Sequence, residues 1–177
     1  MKGYIEALLD AGINKDEIFY KFAKKFSLNT ITDEKIKQDI EKRLIQEAGQ
    51  NRPQIILDSF FYNFGNLSKK QGKISKIFKL SNKGNASLII KSLKTSCPCA
   101  FVSLKVNKNK SPYFGTEGTP HNWQVELKAG QSAELELMLD PASSHIKVGK
   151  IVRAATITSN DPLYPEQMVR VEADVKE

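Results

Sequence analysis

Two cysteines flank a proline in the segment Cys97-Pro98-Cys99, and the chain contains no others. In an extended backbone this spacing projects both thiols to the same side. Pro98 has no N–H to donate to a ladder, so we expect the segment at a strand end or edge. A disulfide here would be strained, because extended Cα atoms two residues apart lie near the ~7 Å limit for bridging.

Two other interpretations of the cysteine pair stay open. Reduced, the two thiolates are soft ligands for Cu(I) or Zn(II). Alternatively, both are small side chains packed at the edge of a core. A metal site needs further ligands, and the chain offers His121 and His145, both in predicted loops. If those loops lie beside Cys97 and Cys99, a Cys₂His₂ site results. A solvated loop histidine is the commoner case, so we expect no cofactor, with Cu or Zn as the alternative.

A second candidate site is the aromatic segment near residues 107–122, which is rich in glycine and proline. Tyr113, Phe114 and Trp123 stand in or beside it. Loops on a rigid scaffold commonly carry binding, and aromatic side chains are frequent anchors of interfaces. The competing interpretation is a loop that folds back, so that its aromatic rings cover the core.

Enzymatic motifs are absent from the sequence. There is no glycine-rich phosphate loop, no nucleophile elbow and no metalloprotease helix motif. Thiol-redox chemistry at Cys97 and Cys99 is the single enzymatic alternative, and no predicted helix begins there to stabilise a thiolate. The sequence therefore predicts a non-enzymatic protein.

The elements that position these residues change character near residue 50. Beyond Pro53, apolar residues recur with a period of two, as in 133–139 and 169–175, which is typical of strands with one buried face. Turn signals at 82–85, 129–131 and 160–162 separate the runs. We predict an immunoglobulin-like β-sandwich of seven to nine strands over residues 54–177, with a closed barrel as the alternative.

Residues 1–49 instead predict three short amphipathic helices. Asn14 and Glu17 form a capping box at the second helix, and the third begins at Thr32. Each helix is too short to be stable alone, so they must pack on each other, on the sandwich or on a partner. Residues 50–53, which end at Pro53, form the predicted linker.

Several short segments resemble a known family in their order along the chain. They are Phe64-Gly65-Asn66-Leu67, Phe78–Asn85, Leu88–Leu93, Ser96–Cys99, Leu127–Gln131 and Ser159–Pro162. This order is similar to the bacterial Cys-x-Cys immunoglobulin-like domains of unassigned function, which are related to Hydin-type and major-sperm-protein-type modules. Pro98 departs from the glycine that is more frequent between those cysteines. The resemblance implies an adhesive or assembly module of an exported or surface-linked protein.

The helices carry a weaker resemblance. Leu8–Gly12, followed by Asp16-Glu17-Ile18 and Phe22, is similar to a helical hairpin of CcmH-like cytochrome-maturation proteins. Those proteins have a cysteine motif just upstream of the hairpin, and residues 1–7 of this sequence contain no cysteine. The resemblance therefore implies no activity for this chain.

Charge and composition narrow the expected partners. Residues 1–48 hold equal numbers of basic and acidic residues, so the remainder carries the whole formal net charge of +7. Without an arginine-rich run or an RNP-like motif, we expect a protein partner and no nucleic acid. Composition leaves two alternatives, a cytoplasmic protein or one whose targeting segment has been removed. With the resemblance, we expect a periplasmic or cell-surface location and a membrane anchor removed from this sequence.

Overall fold

The structure is a computed structural model that describes residues 2–177, so Met1 of the predicted helical region lies outside it. Within these residues the chain forms three α-helices, which are α1 (Lys2–Asp10), α2 (Lys15–Phe26) and α3 (Glu34–Ala48). A 3₁₀ turn at Leu28–Thr30 follows α2. Asn14 caps α2 as predicted, because its Oδ1 accepts a hydrogen bond from the Glu17 N–H at 3.0 Å. The Glu17 carboxylate instead accepts a hydrogen bond from Arg43 at 2.7 Å, so the reciprocal half of the predicted capping box is not formed.

Ten strands follow the helices in the described chain. They are β1 (Ile55–Leu57), β2 (Phe61–Ser68), β3 (Ile74–Asn82), β4 (Leu88–Thr95), β5 (Ala100–Val106), β6 (Asn109–Lys110), β7 (Val125–Leu127), β8 (Ser132–Leu139), β9 (Gly149–Ser159) and β10 (Glu166–Lys176). Across residues 2–177 they form two five-stranded sheets, ordered β1-β3-β8-β5-β6 and β2-β10-β9-β4-β7. The predicted immunoglobulin-like sandwich with N-terminal helices is confirmed. Three strands have only two or three residues, which is why the sequence predicts fewer than the structure contains.

The period of two in the sequence becomes the inner and outer faces of the sheets. In β8, Leu135 and Leu137 are fully buried between the sheets, whereas Glu134 is exposed. Phe78 of β3 and Val169 of β10 reach the same core from opposite sheets. Burying these side chains supplies the main driving force for the sandwich.

A buried asparagine organises the connection between β3 and β4. Asn82 Oδ1 accepts hydrogen bonds from the N–H groups of Gln54 at 3.2 Å and Gly84 at 3.0 Å. Its Nδ2 donates to the carbonyls of Ala86 at 2.8 Å and Leu127 at 3.0 Å. A Cβ atom on Gly84 would lie 2.2 Å from the Arg52 carbonyl oxygen, so only glycine fits there. The segment that precedes β1 is thereby held against this turn.

The helices pack on the connection between β9 and β10. Leu163 of that connection lies in one apolar cluster with helical side chains such as Leu28 and Leu44. The Leu28 N–H also donates to the Leu163 carbonyl at 2.8 Å. Buried Asp161 shapes the connection, because its carboxylate accepts the N–H groups of Ile55, Leu163 and Tyr164 at 2.7, 2.8 and 3.1 Å.

The longest described helix, α3, has 15 residues. Among residues 2–177, no helix combines the length and apolar character needed to cross a membrane.

Candidate functional site

Edge strands differ sharply in length among the described residues. The two sheets end in β1, β6, β7 and β2, of which the first three have three, two and three residues. Edges that short offer little backbone for pairing with another chain. β2 has eight residues and pairs with β10 in parallel on one side only. Its sequence, FYNFGNLS, contains no charged side chain to discourage a further strand.

Large apolar side chains are exposed around the start of β2. Phe60 is 48 %, Phe61 52 % and Met168 43 % exposed. Phe61 lies opposite Arg170 in the parallel pairing of β2 with β10, and Arg170 is also exposed. Exposed apolar groups that cluster in this way commonly mark an interaction surface.

These side chains form one wall of a groove of about 500 Å³. The opposite wall comes from the end of α2 and the 3₁₀ turn, with Phe26, Asn29 and Thr30. That wall stands beside the sheet because Leu28, within the same turn, is anchored to Leu163. We call this space the β2 groove.

The segment that follows β2 is rich in lysine. Gly65 adopts φ +72°, and its N–H donates to Asn63 Oδ1 at 2.7 Å, where the pairing with β10 shifts register. Residues 69–76, which run from the end of β2 into β3, contain four lysines and no acidic residue. They are Lys69, Lys70, Lys73 and Lys76. An acidic segment is therefore favoured beside this end of the strand.

The cysteine segment connects the two sheets. β4 ends at Thr95 in one sheet and β5 begins at Ala100 in the other, which confirms the expected position at a strand end. The backbone between them is a turn, closed by the Ala100 N–H donating to the Cys97 carbonyl at 3.0 Å. The extended backbone considered from the sequence is therefore wrong, and the Cα atoms of Cys97 and Cys99 are 5.2 Å apart. The structure joins these cysteines as a disulfide.

The two sulfur atoms have different surroundings. Cys99 is fully buried, in a cluster with Leu67 and Ile146, whereas Cys97 is partly exposed. Arg153 Nε lies 3.0 Å from Cys99 Sγ. The same guanidinium donates to the carbonyls of Val152 at 2.8 Å and His145 at 3.4 Å, which hold it in place.

The candidate metal ligands do not form a cluster. His121 and His145 are both exposed, and only the backbone of His145 reaches the cysteine turn, through Arg153. In residues 2–177 no three His, Cys, Asp or Glu side chains are grouped so that they could hold a metal ion.

The three aromatic candidates, Tyr113, Phe114 and Trp123, do not form one exposed surface. Phe114 is buried and pairs with Val102, and its ring contacts that of half-buried Trp123 with centroids 5.3 Å apart. These two rings cover the core, as the competing interpretation expected. Tyr113 stays exposed and contacts Glu136 of β8, in the sheet that also contains Val102.

Tyr113 belongs to a polar group with Lys110 and Glu136. Lys110 Nζ and Tyr113 Oη lie 2.6 and 2.8 Å from Glu136 Oε2. Burial alone would raise the pKa of Glu136, but hydrogen bonds, first that from Lys110, lower it below its usual value. The hydrogen bond to Glu136 raises the pKa of Lys110. These residues cross-link β6 and the segment that follows it to β8.

Part of the sandwich matches a known protein family. Residues 55–113, about a third of the chain, match the family described as "Protein of unknown function (DUF1573)". The match runs from β1 past the cysteine turn to Tyr113. It supports the coarser part of the predicted resemblance, an immunoglobulin-like domain of unassigned function. The relation to Hydin-type and major-sperm-protein-type modules and the CcmH-like hairpin stay predictions. Among curated proteins, none matches the chain.

Solved structures are similar in fold. A protein of unknown function from Porphyromonas gingivalis W83 aligns with a TM-score of 0.51 and 20 % identity over 71 % of this chain. The aligned part is 49 % of that protein, so this chain spans about half its length. An ASH/PapD-like domain of human CEP192 aligns at TM-score 0.47 and 9 % identity, covering 73 % of this chain and 89 % of the domain. The YadV chaperone aligns at TM-score 0.42 and 18 % identity, covering 70 % and 52 % of the two chains.

Two groups of functional candidates were missed by sequence reasoning. Phe60, Phe61 and Met168 become a surface only when β2 pairs with β10, about a hundred residues away in the chain. The one local signal was the uncharged aromatic run before Asn63. Arg153 sits in a strand with no feature that marks it as a neighbour of Cys99.

Proposed function

We propose that the chain is a protein-binding module in which β2 holds an extended segment of another protein without catalysing a reaction on it. The observation that carries the proposal is the contrast among the sheet edges. β2 is long, uncharged and aromatic, whereas the other edges of the described sandwich have three residues or fewer. Adding a strand to such an edge satisfies its free backbone groups and gives affinity from main-chain hydrogen bonds.

The β2 groove supplies the side-chain specificity that backbone pairing lacks. Phe26 and Phe61 face the groove from its two walls, and Met168 forms part of the lining. A strand presents alternate side chains to one face, so an apolar residue at every second position would enter this space. The lysines after β2 favour a segment that carries acidic residues at one end.

Charge argues for a different protein as the partner. A second copy of this chain would also carry a formal net charge of +7. Like net charges oppose association, whereas an acidic segment is attracted. The disulfide supports an exported location, because disulfides persist in oxidising compartments.

Synthetic peptides test the proposal. The probe is an eight-residue peptide that alternates valine and threonine and ends in two aspartates, with a scrambled peptide of equal composition as control. Fluorescence anisotropy should show preferential binding of the alternating peptide, and methylating its alternate backbone N–H groups should abolish that binding. Hydrogen exchange should place the protected amides in β2.

Matched variants of the chain complete the test. Phe61→Lys introduces a charge at the edge and should weaken binding at least about tenfold. Ile77→Lys changes an equally exposed apolar residue of the other sheet and should leave binding unchanged. Equal binding of the scrambled peptide, or equal loss in both variants, would refute strand addition. A dimer that Phe61→Lys dissociates, seen by analytical ultracentrifugation, would assign the edge to a second copy instead.

A further inference from the structure

The cysteine turn lies apart from the β2 groove and differs from an ordinary structural disulfide. A disulfide stabilises a fold mainly by constraining the unfolded chain, and more so when it closes a longer loop. Cys97 and Cys99 are separated by one residue, so the loop that they close is minimal. The turn is held independently by hydrogen bonds, since Ser96 and Ala154 bond to each other twice, each time at 3.0 Å. The folded turn therefore does not depend on the sulfur–sulfur bond.

Arg153 gives the reduced state a specific stabilisation. Its Nε lies 3.0 Å from Cys99 Sγ, and within residues 2–177 its guanidinium forms no ion pair with an acidic side chain. A positive charge beside a sulfur atom favours the thiolate over the thiol. The arginine thus provides the positive charge that stabilises a thiolate, a role that a helix N-terminus has in many other redox sites.

We propose that Cys97 and Cys99 form a thiol–disulfide exchange site that oxidises a dithiol substrate. Cys97 is the partly exposed residue of the pair and Cys99 is fully buried, so an incoming thiolate attacks Cys97 Sγ. Its attack forms a bond between the substrate sulfur and Cys97, and the bond between Cys97 and Cys99 breaks. Cys99 leaves as a thiolate beside the Arg153 guanidinium.

The second step returns the substrate as a disulfide. The other thiolate of the substrate attacks the substrate sulfur in the mixed disulfide, forming the new disulfide and releasing Cys97 as a thiolate that solvent protonates. Two electrons pass from the dithiol to the chain. Stabilising the reduced chain, as Arg153 does here, makes a disulfide more oxidising. The minimal loop acts in the same direction, because it gives the disulfide little entropic advantage.

Equilibration of the folded, full chain with glutathione redox buffers tests the proposal. After acid quenching and alkylation, mass spectrometry gives the ratio of disulfide to dithiol. The wild type should exchange while its circular dichroism stays that of the folded chain. Arg153→Gln should shift the equilibrium about tenfold toward the disulfide, because a neighbouring charge changes thiolate stability by about one pKa unit or more. Arg153→Lys should retain most of the wild-type behaviour.

Lys150→Gln is the matched control, since it removes an exposed charge from the same strand and should leave the equilibrium unchanged. A reduced two-cysteine peptide should yield one peptide disulfide per oxidised chain. Cys99→Ser leaves the reachable Cys97 and should trap a mixed disulfide with glutathione, whereas Cys97→Ser should react far more slowly. If Cys99→Ser fails to fold, the Arg153 series still decides. A disulfide that glutathione reduces only on unfolding, or equal shifts in Arg153→Gln and Lys150→Gln, would overturn the proposal.

Discussion

Replacing Leu163 with alanine tests whether the helices are held beside the sheet as the β2 groove requires. Leu163 is 3 % exposed and projects from the β9–β10 connection into the helical cluster. Truncating a buried leucine to alanine costs about 3 kcal/mol, from lost burial and the cavity that remains. Because each 1.36 kcal/mol corresponds to a factor of ten, the population with undocked helices should rise about 150-fold. The sandwich has its own core and should stay folded.

Hydrogen exchange measured by mass spectrometry resolves the two parts of the chain. In Leu163→Ala the amides of α2 and α3 should exchange faster, while those of β8 and β9 keep the protection of the wild type. Leu9→Ala is the control, because Leu9 is 57 % exposed and its truncation should cost less than about 0.5 kcal/mol. Equal acceleration in helices and strands would show that both form one cooperative unit. Unchanged helix exchange would refute the anchoring role of Leu163.

Two further predictions concern the sandwich. Asn82→Ala removes four hydrogen bonds to backbone groups at partly or fully buried positions and should lower the free energy of unfolding by about 4 kcal/mol in urea titration. Asn85→Ala, which removes a single exposed hydrogen bond, should cost under about 1 kcal/mol. Since folding lowers the pKa of Glu136 below 4.5, its contribution to stability is present above that pH and lost below it. Urea midpoints should therefore fall less between about pH 7 and about pH 3 in Glu136→Gln than in the wild type.

Local sequence signals predicted the elements because their causes are local. Asn14 caps α2 through a contact three residues away. The alternation in 133–139 is a direct consequence of one buried and one exposed sheet face. Partners distant in the chain were not predictable in this way. The sequence is compatible with many arrangements of the strands and helices. Neither the parallel pairing of β2 with β10 nor the docking of Leu28 on Leu163 follows from residues nearby in the chain.

The candidate sites depend on contacts between residues that are far apart in the chain. Asn82 and Asp161 stood out as motif residues, but their side chains satisfy backbone groups and serve the fold. For Phe114 the sequence left an exposed loop and a loop folded over the core as alternatives, because nothing nearby shows its pairing with Val102. The turn at Cys97 and Cys99 is also long-range in origin, since the chain must cross there from one sheet to the other.

The two proposed sites can be tested independently, although β2 runs from one to the other. Phe61 lines the groove at one end of β2, whereas Leu67 near the other end shares an apolar cluster with Cys99. Leu67 is six positions after Phe61, which corresponds to about 20 Å at the usual rise of a strand. Phe61→Lys should therefore leave glutathione exchange unchanged, and Arg153→Gln should leave peptide binding unchanged. Each variant is thus a control for the other site, because a general loss of folding would impair both activities together.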